Sequence, residues 1–226
     1  MNYIWAIPIA ICCGIVAYGT LNKEIADKVR LLHIMGMPAE KSRDMGKIQV
    51  VGISILVSIL CYGAAVMLFI HTIEVINRLK MVISLICITG AACNDYREQR
   101  IPNIFPFTMV VSGGILLAMG YVVSQNGAVA YIISSITATV FVIAGMVIVT
   151  VLTKKGIGIG DIKLLGAVAW TGGVYTVGGT MFFGMIACFI VAVVLLLSKK
   201  KTMKESLAFG PFIFVGYIIS IYTSIY

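Results

Sequence analysis

The sequence predicts an all-α, polytopic integral-membrane helical bundle, and its composition and charge pattern are the observations that indicate it. Of the 226 residues, 60% are hydrophobic and only 12% are charged, and the mean hydropathy is +1.05. A soluble domain needs a surface of which about a quarter or more is charged. These figures exclude a soluble globular protein and a disordered chain. The six cysteines lie in or beside apolar stretches and form no C-x-x-C pair, so we interpret them as small buried hydrophobic residues.

Seven apolar stretches are separated by more polar segments. A helix of about 20 apolar residues crosses the hydrocarbon core of a membrane. Most stretches fit one crossing each, whereas residues 162–197 are too long and are expected to turn back at the glycine-rich residues 171–179. The sequence therefore predicts about eight transmembrane helices. The stretches are residues 3–20, 48–70, 81–93, 104–123, 129–152, 162–197 and 207–226.

The positions of the basic residues predict the orientation of these helices. With the N-terminus outside, 15 of the 17 Lys and Arg residues fall on the cytoplasmic side, and only Arg78 and Lys80 fall outside. Eight crossings then place the C-terminus outside as well. No basic residue precedes the first stretch, so we interpret it as an uncleaved anchor rather than a signal peptide.

The chain is predicted to form a single membrane domain, residues 1–226, whose longest polar segment is a cytoplasmic basic loop, residues 21–47. The net charge is +8. Because the inner loops face anionic lipid, we interpret this charge as a topology signal and as contact with membrane lipid. We expect no nucleic-acid partner.

Asp95 is predicted to lie at the cytoplasmic end of the third helix. The apolar stretch 81–93 is too short to cross the membrane alone, so the helix must include flanking residues. With Lys80 reaching the outer surface, its inner end is expected beside Asp95. Pro102 is expected to stop this helix, because it lacks an N–H and restricts the residue before it.

Asp161 follows a segment with glycine at every second position, namely Gly156, Gly158 and Gly160. It is placed to cap the helix that begins there. Capping alone does not explain three glycines, which allow positive φ and leave room for an extended substrate chain beside the backbone.

Asp95 and Asp161 are thus expected on the same face of the bundle. Two neighbouring carboxyl groups share one proton, and aspartic proteases use this arrangement to activate water. Structural carboxylates, or the ion ligands of a small transporter or proton conductor, are alternatives that the residues alone leave open. The sequence contains no G-x-S-x-G and no H-E-x-x-H motif, which disfavours serine and zinc hydrolases.

The segments around both aspartates resemble the motifs of type IV prepilin peptidases. Residues 95–103, DYREQRIPN, resemble the first motif, in which an aspartate precedes Pro-Asn by a fixed spacing. Residues 158–165, GIGDIKLL, resemble the second motif, G-x-G-D followed by x-K-L. Residues 208–212, AFGPF, are similar to a P-F-G-P-F segment, with alanine in place of the first proline. The resemblance extends from about residue 81 to the C-terminus.

This resemblance implies a membrane aspartic endopeptidase that removes the short basic leader from type IV prepilins or prepilin-like precursors. Cleavage would occur at the cytoplasmic face of the cell (plasma or inner) membrane. Asp95 and Asp161 would be the catalytic pair, and Gly158 and Gly160 would shape the loop that holds Asp161. The resemblance also implies motif or substrate-positioning roles for Pro102, Asn103, Lys163, Gly210 and Pro211.

The chain departs from this family in the segment between its first two helices. Many bacterial members carry cysteine pairs there, bind zinc and methylate the product. Residues 21–47 contain no cysteine, so we predict no metal, no other cofactor and no methyltransferase activity. A presenilin-like intramembrane protease is an alternative, but those proteins carry Tyr before the first aspartate, where this chain has Asn94. An inactive relative with a structural role is a further alternative.

Overall fold

A computed structural model describes residues 6–34, 40–70, 75–123, 125–152, 158–198 and 208–223, with backbone alone over 23–34, 40–48, 69–70, 123 and 125–128. The described residues form helices and no strands, which confirms the all-α class. The seven helices are α1 (Ala6–Ile34), α2 (Glu40–Ile70), α3 (Val75–Glu98), α4 (Ile104–Val123), α5 (Gln125–Leu152), α6 (Ile159–Leu197) and α7 (Gly210–Thr223).

Helix length and composition define a multi-pass membrane protein. Within the described part of the chain, five segments are long and apolar enough to span a membrane, and two shorter apolar helices, Ala6–Asn22 and Gly210–Thr223, accompany them. Large apolar side chains cover the outside of the bundle, as lipid-facing helices require. The five long segments are Gln49–Leu68, Val75–Glu98, Ile104–Val122, Val129–Leu152 and Ile159–Leu197.

Residues 21–34 and 40–47 of the segment predicted to be cytoplasmic are helical. Helix α1 continues to Ile34 and α2 begins at Glu40. The segment is rich in Lys, Glu, Ala and Leu, which favour helix, so both helices extend beyond their apolar parts.

Helix α3 lies at the centre of the bundle and packs against α1, α4, α6 and α7. As predicted, it extends beyond the stretch 81–93 at both ends. Helix α7 runs antiparallel to it. At one end of the pair Gly210 contacts Asp95, and towards the other end the Tyr217 hydroxyl donates a hydrogen bond to the Met81 carbonyl. We call the first of these the aspartate end of the bundle.

The first part of α6 also runs antiparallel to α3. Asp161 lies at the aspartate end with Asp95, whereas Thr171 lies at the opposite end, where its hydroxyl accepts a hydrogen bond of 2.9 Å from Ser84. Gly173 then interrupts the helix with φ 73° and ψ −171°, a conformation that glycine adopts readily.

Beyond Gly173 the chain returns towards the aspartate end. The Thr176 carbonyl accepts a hydrogen bond from Ser220, near the end of α7, whereas Gly184 packs against the backbone of Phe212, near its start. The second part of α6 is therefore antiparallel to α7 and opposite in direction to the first part. The reversal lies within residues 171–179, where a turn was predicted. Seven helices are assigned among the described residues rather than the predicted eight, because both parts of the reversal are assigned to α6, with Gly173 non-helical between them.

Lys80 occupies a different environment from the predicted one. Its side chain is only 2% exposed, and its ammonium group lies 3.8 Å from the centroid of the Tyr131 ring. The expectation that it reaches the outer surface is wrong, because the α5 ring covers it and stabilises its charge through a cation–π contact.

Candidate active site

Asp95 lies in the last turn of α3 and is 6% exposed. Its carboxylate Oδ2 accepts a hydrogen bond of 2.7 Å from the backbone N–H of Gly210, the first residue of α7. The free N–H groups at a helix N-terminus suit such an acceptor. A Cβ atom on Gly210 would lie 2.8 Å from the Asp95 Cβ, so only glycine permits this approach.

Asp161 lies in the first turn of α6 and is partly buried. The predicted capping position is wrong, because the N-cap is Gly158, which is extended, and the Asp161 N–H donates to the Gly158 carbonyl at 3.1 Å. The Asp161 carboxylate accepts a hydrogen bond from the Gly158 backbone in return. A Cβ on Gly158 would lie 3.1 Å from Asp161 Oδ2, so glycine leaves room for the carboxylate. Gly156 lies outside the described residues.

The structure brings Asp95 and Asp161 together. The two carboxyl groups are close enough to repel each other electrostatically, although they are contributed by different helices. This juxtaposition agrees with the expectation that both lie on one face of the bundle. Two carboxyl groups that both reach one water molecule can share a proton and activate that water.

Gly160 and Lys163 lie on either side of Asp161 and contact residues 101 and 103, which follow the helix of Asp95. The Lys163 ammonium donates a hydrogen bond of 3.1 Å to Asn103 Oδ1. A Cβ on Gly160 would lie 3.1 Å from the Ile101 Cβ. Among the described glycines only Gly173 has positive φ, so the expectation that Gly160 uses positive φ is wrong. Its lack of a side chain serves close packing against Ile101 instead.

Pro102 and Asn103 lead into α4. The Pro102 carbonyl accepts from Phe105, and the Asn103 carbonyl accepts from Phe107, at 3.3 Å and 3.1 Å. Helix α3 has already ended at Glu98, and Gln99 follows with φ 50°. Helix α3 thus ends before Pro102, as predicted, and residues 99–101 separate the two.

Pro211 lies in the first turn of α7, where a missing N–H costs no helical hydrogen bond. The turn is closed by the Phe209 carbonyl, which accepts from Phe212 at 3.0 Å and from Ile213 at 3.1 Å. These bonds fix the direction of the Gly210 N–H towards Asp95. The AFGPF segment, residues 208–212, therefore lies beside Asp95 at the aspartate end.

The sequence reasoning missed Arg97 and Gln99. Arg97 was counted as a loop charge, but its side chain is almost fully buried and donates a hydrogen bond to the Thr20 carbonyl, which ties α3 to α1. It also lies 3.4 Å from the exposed Glu98. The only sequence feature that indicates this burial is that Arg97 lies four residues after the apolar stretch 81–93. Glutamine carries no recognisable signal for the left-handed conformation of Gln99.

No group of three His, Cys, Asp or Glu side chains that could hold a metal ion occurs where the structure describes side chains. At the aspartate end, the carboxyl groups of Asp95 and Asp161 lie beside backbone N–H groups. These groups suit proton transfer and hydrogen bonding to a carbonyl compound.

The helices and the carboxylate pair together define a multi-pass membrane protein with a candidate acid–base site at one end of its bundle. A sequence model described as the type IV leader peptidase family matches residues 81–196, which is more than half of the chain and includes both aspartates. The chain belongs to the type IV leader peptidase family. No curated protein and no solved structure matches it.

Proposed function

We propose that this protein is a membrane aspartic endopeptidase that removes the leader from type IV prepilins or prepilin-like precursors. The observation that carries the proposal is the meeting of Asp95, Asp161 and Gly210 from three helices at one end of the bundle. Membership in the type IV leader peptidase family supports the substrate class. Membership in this family also favours hydrolysis over the role of ion ligands in a transporter.

The two aspartates perform the hydrolysis as an acid–base pair. One ionised carboxylate accepts a proton from the bound water, whose oxygen attacks the carbonyl carbon of the scissile peptide. The other, protonated carboxyl group donates its proton to the carbonyl oxygen. The proton taken from water then passes to the amide nitrogen. The C–N bond breaks while one hydroxyl proton of the tetrahedral intermediate returns to the second aspartate, which gives a carboxylic acid and a new N-terminus and restores the pair.

Gly210, Gly158 and Lys163 hold this pair in place. The Gly210 N–H fixes the Asp95 carboxylate, and the Gly158 backbone fixes that of Asp161. The Lys163 bond to Asn103 holds the start of α6 beside the start of α4. Residues on rigid helices, supported by a second layer of hydrogen bonds, give the positional accuracy that acid–base chemistry requires.

The proposed topology places the aspartate end at the cytoplasmic face of the cell membrane. The reversal of α6 at Gly173 supports eight crossings, with α6 contributing two. The distribution of Lys and Arg supports placing both termini outside. In this orientation a precursor presents its basic leader in the cytoplasm and its hydrophobic segment in the membrane.

We further propose that the protein is a peptidase only, without zinc and without methyltransferase activity. The lack of cysteine in residues 21–47 supports this. Mass spectrometry of the product, formed with S-adenosylmethionine or with a zinc chelator present, tests it. We expect an unmethylated product and an unchanged rate, and an added methyl group or inhibition by the chelator would contradict this part of the proposal.

The peptidase proposal itself is tested by incubating the purified protein in detergent with a prepilin. Mass spectrometry should detect one cut between the leader and the hydrophobic segment. The Asp95→Asn/Asp161→Asn double variant is the negative control for contaminating proteases. Equal cleavage by this variant, or no cleavage of any precursor by the unaltered protein, would contradict the proposal.

A further inference from the structure

A cavity of about 270 Å³ lies beside Asp95, between α3 and α7, with α1 and α2 forming its outer wall. We call it the α3–α7 cavity. Thr89, Ala92 and Cys93 of α3 line one side, and Pro211 and Phe214 of α7 line another. Nearly all of these side chains are apolar, so the cavity suits hydrocarbon groups.

This cavity borders the proposed active site, although neither aspartate lines it. Among the α3 residues that line it, Ala92 lies nearest to Asp95, about 60° away around the helix, and Cys93 lies farthest, about 160° away. Pro211 directly follows Gly210, whose N–H binds the Asp95 carboxylate. A peptide bond held at Asp95 would therefore have its neighbouring side chains within reach of the cavity.

A second cavity, of about 440 Å³, is less well placed for this role. Its lining on α6 includes Lys163 and Ala167. Asp161 precedes Lys163 by two residues and so points about 160° away from it around the helix. The second cavity thus opens on the side of α6 opposite to the carboxylate.

Volume and chemistry define what the α3–α7 cavity can hold. An apolar protein cavity of about 150 Å³ accommodates one benzene molecule. A cavity of about 270 Å³ therefore has room for about two large apolar side chains, but not for a whole helix. The small Ala92 side chain keeps this space open.

We propose that the α3–α7 cavity binds one or two large apolar side chains from the start of the precursor's hydrophobic segment, and that Ala92 sets the size accepted. This inference rests on the proposed peptidase function and adds the subsite that selects the substrate. Filling the cavity excludes large side chains, because an apolar pocket discriminates by volume.

The test compares Ala92→Leu with unaltered protein on two precursors, one with large apolar residues after the cut and one with alanine there. We expect Ala92→Leu to slow cleavage of the first at least about tenfold and to cleave the second at nearly the normal rate. Thr139→Leu, which fills the second cavity, is the matched control and should change neither rate.

Equal rates of Ala92→Leu and unaltered protein on the large-residue precursor would overturn the proposal, as expected if lipid or nothing fills the cavity. Equal slowing on both precursors would also overturn it, because the substitution would then act on Asp95 itself. If Ala92→Leu does not fold, the proposal is tested with Phe214→Leu instead, because this substitution enlarges the cavity. It should shift preference about tenfold towards a precursor with tryptophan after the cut, and an unchanged preference would overturn the proposal.

A failure of the proposed function would look different from a failure of this inference. If the unaltered protein cleaves no precursor, the peptidase activity is refuted. If it cleaves both precursors, the activity stands, and the response to Ala92→Leu or Phe214→Leu tests the subsite alone.

Discussion

The backbone N–H of Gly210 donates a hydrogen bond to the carboxylate of Asp95 across 2.7 Å, although the residues are 115 positions apart. This bond brings the start of α7 into the site that the two aspartates form. It also gives Gly210 a direct influence on the position of the Asp95 carboxylate, which we propose to be catalytic.

Gly210→Ala should impair cleavage and stability together. The added Cβ would lie 2.8 Å from the Asp95 Cβ, so α7 or Asp95 must shift. We expect a loss of about 1–3 kcal/mol in the free energy of unfolding and at least about a tenfold slower cleavage rate. Gly145→Ala is the control, because a Cβ there contacts nothing within 4 Å. A Gly210→Ala protein with normal cleavage rate and stability would show that Gly210 and Asp95 are not packed tightly against each other.

Gly160→Val should slow cleavage much more than Gly52→Val or Val168→Ala. A side chain at Gly160 pushes against Ile101 and separates the two aspartate segments, whereas Gly52 has open space around it. The decisive measurement is the double variant Gly160→Val/Ile101→Gly, which removes the Ile101 Cβ and should recover part of the rate. Additive losses in the double variant would show that Ile101 is not what restricts position 160.

The chain order and charge pattern were enough to predict a helical membrane bundle, the reversal near Gly173 and the shared location of the two aspartates. These features follow from the lengths of the apolar stretches and from the positions of the charged residues, and both can be read directly along the sequence. The Gly210 contact, the burial of Arg97 and the Lys80–Tyr131 contact depend on which helices pack together. No local pattern contains that information, so these features emerged only from the structure.

Tyr131→Phe should lower stability without changing catalysis. The Tyr131 hydroxyl donates a hydrogen bond of 3.1 Å to the Thr171 carbonyl, just before the interruption at Gly173 and far from the aspartates. We expect a loss of about 1 kcal/mol, measured by denaturant unfolding in detergent, because one partly buried hydrogen bond is removed and the ring stays over Lys80. Tyr175→Phe, at a position that is 88% exposed, should have no effect. A slower cleavage rate in folded Tyr131→Phe would contradict the expectation that this end of the bundle does not influence the aspartate end.

Cysteine labelling in a cysteine-free background tests the topology. Tyr175→Cys, beside the reversal of α6, should react only with an impermeant reagent added outside the cell, and Arg100→Cys only with reagent inside. Thr202→Cys, at a position outside the described residues, should also react only from inside. Labelling of Thr202→Cys from outside would mean that α6 crosses the membrane once.

The most direct measurement of the central claim is the cleavage rate of a prepilin by Asp95→Asn, Asp161→Asn and Glu98→Gln, each purified and shown to be folded. Asparagine preserves size and keeps an acceptor for the Gly210 N–H, so thermal stability should change little. Glu98→Gln removes an exposed carboxylate from the same helix end and should cleave normally. We expect each Asp→Asn variant to lose cleavage by at least about a thousandfold, because neither aspartate can replace the other in proton transfer. Substantial cleavage by either folded single variant would contradict the two-carboxylate mechanism.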